Sequence, residues 1–519
     1  MEPRATSVYI EHRAESEYPS SRYGYAPSRK YPEYPWDDVP GEKAAAFEAG
    51  RDGGYTNHIY DMVRSCLYGY GLDRGHFGAK EWNPLGEVIN PGDTVVLKPN
   101  WVEDKNENKK GGIDCLVTHG SVIRAMIDYV RIALGNTGRI IVGDSPMPDC
   151  VLEKLMKAAH YDRIWESCKE RGIRLEIMDF REDIVTGFAN EVKETTGEQE
   201  VIVDLGAHSF FAETEHNVGR YRNGIVDAGK MNGYYHAGGH HRYGINRTVL
   251  KADVVINLPK PKTHRKAGYT AALKNYIGIC SRKVSIPHSV MGNQKEGGDH
   301  YYGPKAVFET EQRIRDMQNR QQTLGHHRRG FLLKAARIPF WLFRRATHKV
   351  FFGTGNWYKN DTIWRAILDL NRIMIYADKD GVMHDAPQRR FFSLGDMVVA
   401  GHRNGPLAPS PIKTGCLICS EDPAAFDLGV IRLMGLRYQY LPVLNKLPNI
   451  RKYPILKGSM RDIMVYSNDE SLNGKRVEKM PAAPYGSFIP AEGWEVISMR
   501  GKGHENPVYN HNRKHDAFL

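Results

Sequence analysis

Residues 93–101, Asp93-Thr94-Val95-Val96-Leu97-Lys98-Pro99-Asn100-Trp101, decide the fold. Thr94-Val95-Val96-Leu97 is a short apolar-leaning run of the kind that fills a strand buried on both faces. Pro99 stops it, because proline removes a ladder donor. Downstream, Ile123, Met126, Ile127, Val130, Ala133 and Leu134 recur at helical spacing, and Gly135 and Gly138 end that helix. Arg139-Ile140-Ile141-Val142-Gly143 reads as a second buried strand, 151–171 as a second helix closed by Gly172, and Leu175-Glu176-Ile177-Met178 as a third strand. Strand, helix, strand, helix, strand implies a parallel sheet with right-handed crossovers.

Outward from that core, Ala252-Asp253-Val254-Val255-Ile256-Asn257-Leu258 reads as a fourth strand and 267–277 as a helix. Helices are expected over 362–371 and 423–434. Strands are expected at Ile373-Met374-Ile375-Tyr376, Met397-Val398-Val399-Ala400 and 415–420. The expected architecture is α/β, a Rossmann-like parallel-sheet core of three layers with a second α/β lobe and a basic amphipathic insertion. Five segments follow: an irregular N-terminal lead-in over 1–75, a Rossmann-like domain over 76–310, a basic apolar insertion over 311–360, a second α/β lobe over 361–465 and a loop-like C-terminal tail over 466–519. Within the lead-in, 18–40 is rich in Tyr, Pro and Ser and either wraps a neighbouring surface or is partly mobile; 44–71 reads helical in parts. No internal repeat is found.

The 519 residues are 41% hydrophobic and 26% charged, ordinary values for a chain that buries a core. At roughly 150 residues per domain, two to four domains fit. Low-complexity disorder is excluded as the main state. No uncharged apolar run reaches the ~18 residues of a membrane span. Seven cysteines in scattered positions do not make a disulfide framework and point to a reducing compartment. Met1 to Ser20 carries four glutamates and no apolar core, unlike a secretory signal. The expected location is cytoplasmic, or peripheral at the inner membrane face.

The formal charge of +11 is concentrated. From Met317 to Asn360 there is no Asp or Glu, and nine Lys or Arg residues alternate with aromatic and aliphatic ones. Basic residues interleaved with aromatics over 326–352 suit an interfacial helix on an anionic membrane. Nucleic acid is the weaker alternative, since no recognised motif accompanies the charge. A surface insertion packing its apolar face on its own domain is the plain alternative. Pro339 kinks or breaks any helix there.

Parallel sheets place ligands outside the carboxyl ends of their strands. Those ends carry Lys98, Asn100 and Trp101, then Asp144 and Ser145, then Lys260, Lys262, Thr263 and His264. The densest stretch, 257–292, adds Lys274, Asn275 and His288. Lysines offer point charges to phosphate or carboxylate, and a desolvated lysine attacks carbonyls. Histidines serve as acid/base groups, metal ligands or plain hydrogen-bonding residues.

These pieces carry a resemblance. Val96-Leu97-Lys98-Pro99-Asn100, Thr118-His119, Ile141-Val142-Gly143-Asp144-Ser145, Asp253 through Lys260, Lys262-Thr263-His264, Ala272-Leu273-Lys274-Asn275, Asn404-Gly405-Pro406 and Asp422-Pro423-Ala424-Ala425-Phe426-Asp427 occur in the order of the family called domain of unknown function 362. They span about 90 to 440. The resemblance implies the α/β fold and no settled activity. A more distant likeness is to nickel-dependent lactate racemase. It implies Lys274 as anchor of a nucleotide-derived cofactor, His288 as metal ligand and His264, ten residues before Lys274, as acid/base or second ligand. Ala271-Ala272 stands where that family has glycines, and Asp144-Ser145 where it has a histidine, so a shared site is implied more than shared racemisation.

Other clusters read as structure. His236, His240 and His241 beside Gly238 and Gly239 form a polar loop or a zinc or nickel site. Cys416 and Cys419 point to opposite faces of a strand and read as buried thiols. Asp378, Asp380 and Asp385 hold either a turn or a magnesium ion. Asp422 reads as a helix cap, with Pro423 in the first turn.

The expectation is an intracellular enzyme acting on a small anionic or phosphorylated substrate in an α/β cleft. Lys98, Asn100, Asp144, Ser145, Lys260, Lys262 and Asn275 bind substrate. Lys274, His264 and His288 carry isomerase-like or oxidoreductase-like chemistry or hold a metal (nickel, zinc or iron) through His264 and His288. The alternative is a membrane-peripheral accessory or binding protein of surface-polysaccharide or lipid-linked assembly.

Overall fold

The computed structural model describes residues 6–40, 55–186, 191–194, 197–223, 228–323, 326–346 and 352–499. Eleven strands form one sheet: β1 (Ser7–His12), β2 (Thr94–Pro99), β3 (Arg139–Asp144), β4 (Leu175–Asp179), β5 (Val254–Leu258), β6 (Lys262–His264), β7 (Gly268–Thr270), β8 (Arg390–Asn404), β9 (Ala408–Ser420), β10 (Met464–Ser467) and β11 (Lys475–Arg476). Their spatial order is β11-β10-β1-β9-β8-β5-β2-β3-β4, with β6 beside β7 and β8. From β8 to β4 the pairing is parallel, with Val255 opposite both Val96 and Phe391. The hairpin β8–β9 runs antiparallel, and β1 pairs antiparallel to β9 and parallel to β10. The fold is α/β around a mixed sheet. The strands expected in a core and in a second lobe belong to this one sheet, through β5 against β8.

Strand alternation sorts the core into two layers. Val95, Leu97, Ile140, Val142, Val254 and Ile256 face one side. There they meet helix α1 (His58–Tyr70), α2 (Gly120–Leu134) and, beyond α3 (Leu152–Ala158), α4 (Tyr161–Glu170). Val96, Ile141 and Val255 face the other. The helices on that side include α5 (Ala272–Asn275); α6 (Lys305–Thr323), α7 (His327–Ala335) and α8 (Ile338–Ala346) form the insertion, and α9 (Ile363–Tyr376) and α10 (Pro423–Met434) complete the layer. Cys416 and Cys419 of β9 fall into opposite cores and are free buried thiols.

Several local expectations are corrected. The stretch 267–277 is not one helix. Gly268 has φ +81°, a backbone that turns the chain into the β6–β7 hairpin, where Lys262 pairs with Thr270. Only the single turn α5 and a 3-10 turn (Tyr276–Ile279) follow. Ile373 to Tyr376 is no strand but the last turn of α9, buried except at Ile375; an apolar run inside a buried helix carries no period that separates the two. The helix expected over 151–171 breaks in two at His160, which has φ +53°. The lead-in is not irregular throughout: Ser7–His12 is an inner strand, and His58–Tyr70 a helix capped by Asn57. Part of the segment 44–71 lies outside the described residues, as do 347–351 of the insertion. Pro339 sits in the first turn of α8, just past the break after α7. Asp422 caps α10 through the Ala424 and Ala425 N–H groups, as read.

One buried arginine ties the lead-in to the sheet layer. Arg124 of α2, fully buried, donates to Asp128 (3.0 Å), Gly24 O (2.7 Å), Ser167 Oγ (2.9 Å), Tyr34 OH (2.8 Å) and Asp38 (2.6 Å). Its replacement by alanine leaves the buried Asp128 and the half-buried Asp38 with Arg171 as the cation that remains to them, and loss of one partner of such a network costs up to about 3–5 kcal/mol. Arg124→Ala is expected to lower the urea midpoint accordingly; an unchanged midpoint overturns the assignment of Arg124 as the clasp.

Candidate functional site

The carboxyl ends of β2, β3 and β5 open on one side of the sheet. Lys98, the fifth residue of β2, is fully buried and donates to Asp144 Oδ1 at the end of β3 (2.7 Å). Asp144 also accepts the Trp101 N–H (2.7 Å) and the Ser145 N–H (2.8 Å). A buried ion pair persists only with its spare lone pairs filled, and here they are filled by the two chains turning off the sheet. Ser145 N–H then donates to Gly278 O (3.0 Å). A Cβ on Gly278 would stand 1.8 Å from Asp144 Oδ1, so glycine is required there.

Beside this pair lies a chain of amides. Lys262 Nζ donates to Asn100 Oδ1 (2.7 Å), Asn100 Nδ2 to Asn275 Oδ1 (2.9 Å), and Asn275 Nδ2 to Asn257 Oδ1 (2.7 Å). Asn257 in turn donates to Ala272 O (3.1 Å). The short helix α5 is held from the far side by Asp427 of α10. Its carboxylate accepts the Ala272 N–H (2.7 Å) and the Tyr269 hydroxyl (2.8 Å), and burial pushes its pKa up to about 7. Lys274 is thereby fixed on a helix too short to position it alone.

These parts border a cavity of about 550 Å³. Asn100, Asp144, Ser145, Lys262, His264, Lys274, Asn275 and His288 all line it. The sequence reading missed Lys266, Lys283, Arg222, Arg315 and His300, which line it too. Lys266 and Lys283 sit inside the dense stretch 257–292 and were legible as further lysines of that cluster. Arg222, His300 and Arg315 come from segments whose approach only the fold reveals. The hairpin β8–β9 closes one end through Asn404, Pro406 and Leu407, and α6 walls another side.

The charge is one-sided. Burial, then the neighbouring Lys283, Lys98 and Lys266, push Lys274 down to about 7. Burial lowers Lys266 to about 7 and Lys283 to about 8, and Lys262 falls well below its ordinary range. Burial disfavours the charged ammonium and like charges add to it. Of the four carboxylates on the wall, Asp144 is committed to Lys98, Asp183 to Arg282 (3.0 Å) and Asp316 faces Arg222 (3.6 Å); the fourth is the exposed Glu107. Lys283 donates to Ile277 O (2.8 Å), and Lys266 to Thr354 O. Among the described residues, Lys274 has no hydrogen-bond or ion-pair partner for its ammonium. Ser145 Oγ and Thr270 Oγ1, both on the wall, are buried without a partner. Such groups are costly unless a ligand satisfies them.

The two histidines differ in what they offer. His264 Nδ1 accepts the N–H of Lys266 (2.9 Å) and of Ala267 (3.2 Å). A neutral ring that accepts at Nδ1 carries its proton at Nε2. Burial and the surrounding lysines keep the ring neutral. His264 Nε2 is therefore a donor, and this bonding does not suit the metal-ligand role expected of it. His288 Nδ1 lies 2.8 Å from Ile286 O, an acceptor, so Nδ1 donates and Nε2 keeps its lone pair. Burial lowers His288 to about 3. His300 spends both nitrogens, on Ser289 Oγ (2.8 Å) and Gln312 Oε1 (3.1 Å).

Two expected ligand-binding lysines lie apart from the cavity wall. Lys98 is the buried partner of Asp144. Lys260 pairs with Asp396 (2.9 Å) and donates to the Tyr18 hydroxyl (2.7 Å), pinning the lead-in against β8. The His236–His241 cluster is also structural: His236 donates to Ser285 O (2.8 Å) and His240 meets Asp204 (2.6 Å). Asp378 accepts the Asp380 and Val382 N–H groups of a turn. Among the described residues, Glu103, Asp104 and Cys150 form a group of ligand type; it contains neither His264 nor His288.

Competitive acetylation from pH 6 to 10, read residue by residue by mass spectrometry, tests the electrostatics. Below its midpoint a lysine is charged and inert; above it the amine reacts. Lys274 and Lys266 are expected to turn reactive near pH 7 and Lys283 near pH 8, while surface lysines wait until ~10.4. Lys283→Met removes the largest like charge acting on Lys274, so its midpoint rises. A midpoint near 10 for Lys274 overturns the picture.

No curated protein matches the chain. A family model described as a domain of unknown function, DUF362, matches residues 95–208 and 222–432, which include β2, β3, β5, both histidines and Lys274. With more than half of its length under that model, the chain belongs to the DUF362 family.

Proposed function

We propose that the protein is an enzyme acting on a small, multiply anionic substrate, phosphorylated or carboxylated, held in the cavity with Lys274 as the reactive group. One observation carries this reading: four lysines with lowered pKa values face one cavity, and three of its four carboxylates are already set against cations. Lys262, Lys266 and Lys283 neutralise the anion. Lys274, near half-neutral at physiological pH, suits either general-base work or attack on a carbonyl. The Nε2–H of His264 hydrogen-bonds an oxygen that gains negative charge, a role open to a neutral imidazole. His288 Nε2 accepts a proton or a hydrogen bond.

A second reading is supported by the free Lys274 amine and the His288 lone pair. These two residues fit a nucleotide-derived cofactor joined to Lys274 with its metal held by His288 Nε2, nickel being the metal of the remote likeness. Such a group would supply redox or isomerase chemistry. Lys262, Lys266 and Lys283 would then hold its phosphate, and His264 would donate to substrate. A third reading, an accessory or binding protein at a membrane surface, keeps the cavity but asks no chemistry of Lys274.

Two measurements separate these. Inorganic pyrophosphate titrated into the protein at pH 7.5 is expected to bind with proton uptake, because the anion recharges the lysines; calorimetry in buffers of different ionisation enthalpy reads it. Lys262→Met or Lys283→Met should weaken binding by tenfold or more, since a charge-assisted contact is worth ~1.5–3 kcal/mol. Pyridoxal 5′-phosphate, a phosphorylated aldehyde, followed by borohydride should label Lys274 through an imine formed with loss of water, and pyrophosphate should protect it. Absence of pyrophosphate binding sinks the anion reading. Binding without labelling at Lys274 favours the accessory role, and a stoichiometric metal or a purified mass adduct at Lys274 favours the cofactor.

A further inference from the structure

We infer that α7 and α8 form an interfacial anchor that docks the protein on an anionic lipid bilayer. This goes beyond the cavity reading and does not depend on it. The helix pair leaves large apolar side chains in solvent: Leu332 is 67% exposed, Ile338 54% and Leu342 51%, with Phe331 and Trp341 also half-exposed. Scattered exposed leucines are ordinary, but five such residues within twelve positions form a patch that marks an interaction surface.

Charge selects the occupant. The stretch from Met317 to Asn360 contains no acid, and the exposed Arg328 and Arg329 open α7, the helix that carries Phe331 and Leu332. A second copy of this chain would bring the same positive surface against itself. Nucleic acid would satisfy the cations and leave Leu332, Ile338 and Leu342 in water. An anionic bilayer satisfies both, with the apolar side chains at the acyl boundary and the cations among the headgroups. Helices of nine residues cannot cross a bilayer, and no described helix is long and apolar enough to do so, which leaves a surface position.

The anchor is mounted on the cavity wall. Arg337, between α7 and α8, donates to Gln318 Oε1 (3.2 Å) and faces Glu311 (3.7 Å), both on α6. The same helix lines the cavity through Gln312, Arg315, Asp316 and Asn319.

Co-sedimentation of the full chain tests this, using vesicles of phosphatidylcholine alone and of phosphatidylcholine mixed with an equal part of phosphatidylserine. The protein is expected to pellet with the anionic vesicles and stay in solution with the neutral ones. Leu332→Ser, Ile338→Ser and Leu342→Ser together should reduce partitioning by more than tenfold. Arg328→Ala and Arg329→Ala should cost about fivefold each, the equivalent of ~1 kcal/mol per cation. Lys274→Met, which disables the proposed reaction, should bind vesicles as the parent does. The inference fails if the parent ignores anionic vesicles, or if the triple serine variant pellets like the parent. It also fails if that variant instead abolishes self-association, or if the parent prefers duplex DNA with a steep salt dependence. Unchanged thermal midpoints confirm that these exposed substitutions leave the fold intact.

Discussion

The ion pair between Lys98 and Asp144 sets the geometry on which the cavity depends. Two charges removed from water are costly, and they persist only where every remaining lone pair and proton is met. Meeting them here takes the backbone of Trp101, leaving β2, and of Ser145, leaving β3. The pair thus joins the ends of two neighbouring parallel strands and dictates how both chains depart. The need for room above it makes Gly278 obligatory, and Gly278 O binds the Ser145 N–H from the other side. Ser145 Oγ is left facing the cavity with nothing to bond.

What the pair does for itself, it denies the cavity. Asp144 is the carboxylate nearest the strand ends, and it is spent on Lys98. The lysines around the cavity are left to lose their protons or wait for an anion, which is the arrangement that lowers an amine toward neutrality. Catalytic use of lysine requires the same thing, a pKa near the working pH. The two histidines complete a division of labour set by backbone bonds. Two N–H groups force the proton of His264 onto Nε2, and one carbonyl forces the proton of His288 onto Nδ1. One ring then donates where the other accepts.

Much of this was legible in the sequence, for reasons that can be named. Val95, Val96 and Leu97, Ile140 to Val142, and Val254 to Ile256 are runs buried on both faces, as an inner strand of a parallel sheet demands. Once the strands are placed, the rule for strand ends places Asn100, Ser145, Lys262 and His264 at one rim. Lys98 and Lys260 expose the limit of that rule. Both stand beside true cavity residues, and nothing local distinguishes a lysine with a carboxylate waiting from one without. The partner of Lys260, Asp396, is 136 positions away. The inner strand Ser7–His12 was invisible for a similar reason, because six residues gain their identity from Ala408–Ser420 and Met464–Ser467. The hairpin at Gly268 was hidden by apolar composition, although glycine before a Tyr-Thr pair is a turn signal that outweighs it.

The distinction between matched and unmatched cations organises the whole molecule. Arg124, Lys98, Lys260 and Arg282 are each met by carboxylates and serve as clasps between segments distant in sequence. Lys262, Lys266, Lys274 and Lys283 meet carbonyls, an amide or nothing, and they share one cavity. Arg328 and Arg329 form a third population, exposed on a surface that also exposes leucine and isoleucine. Net charge of +11 is therefore not a diffuse property of the surface. Nine cations lie in the acid-free stretch 317–360 and four lysines line one cavity, and the helix Lys305–Thr323 touches both.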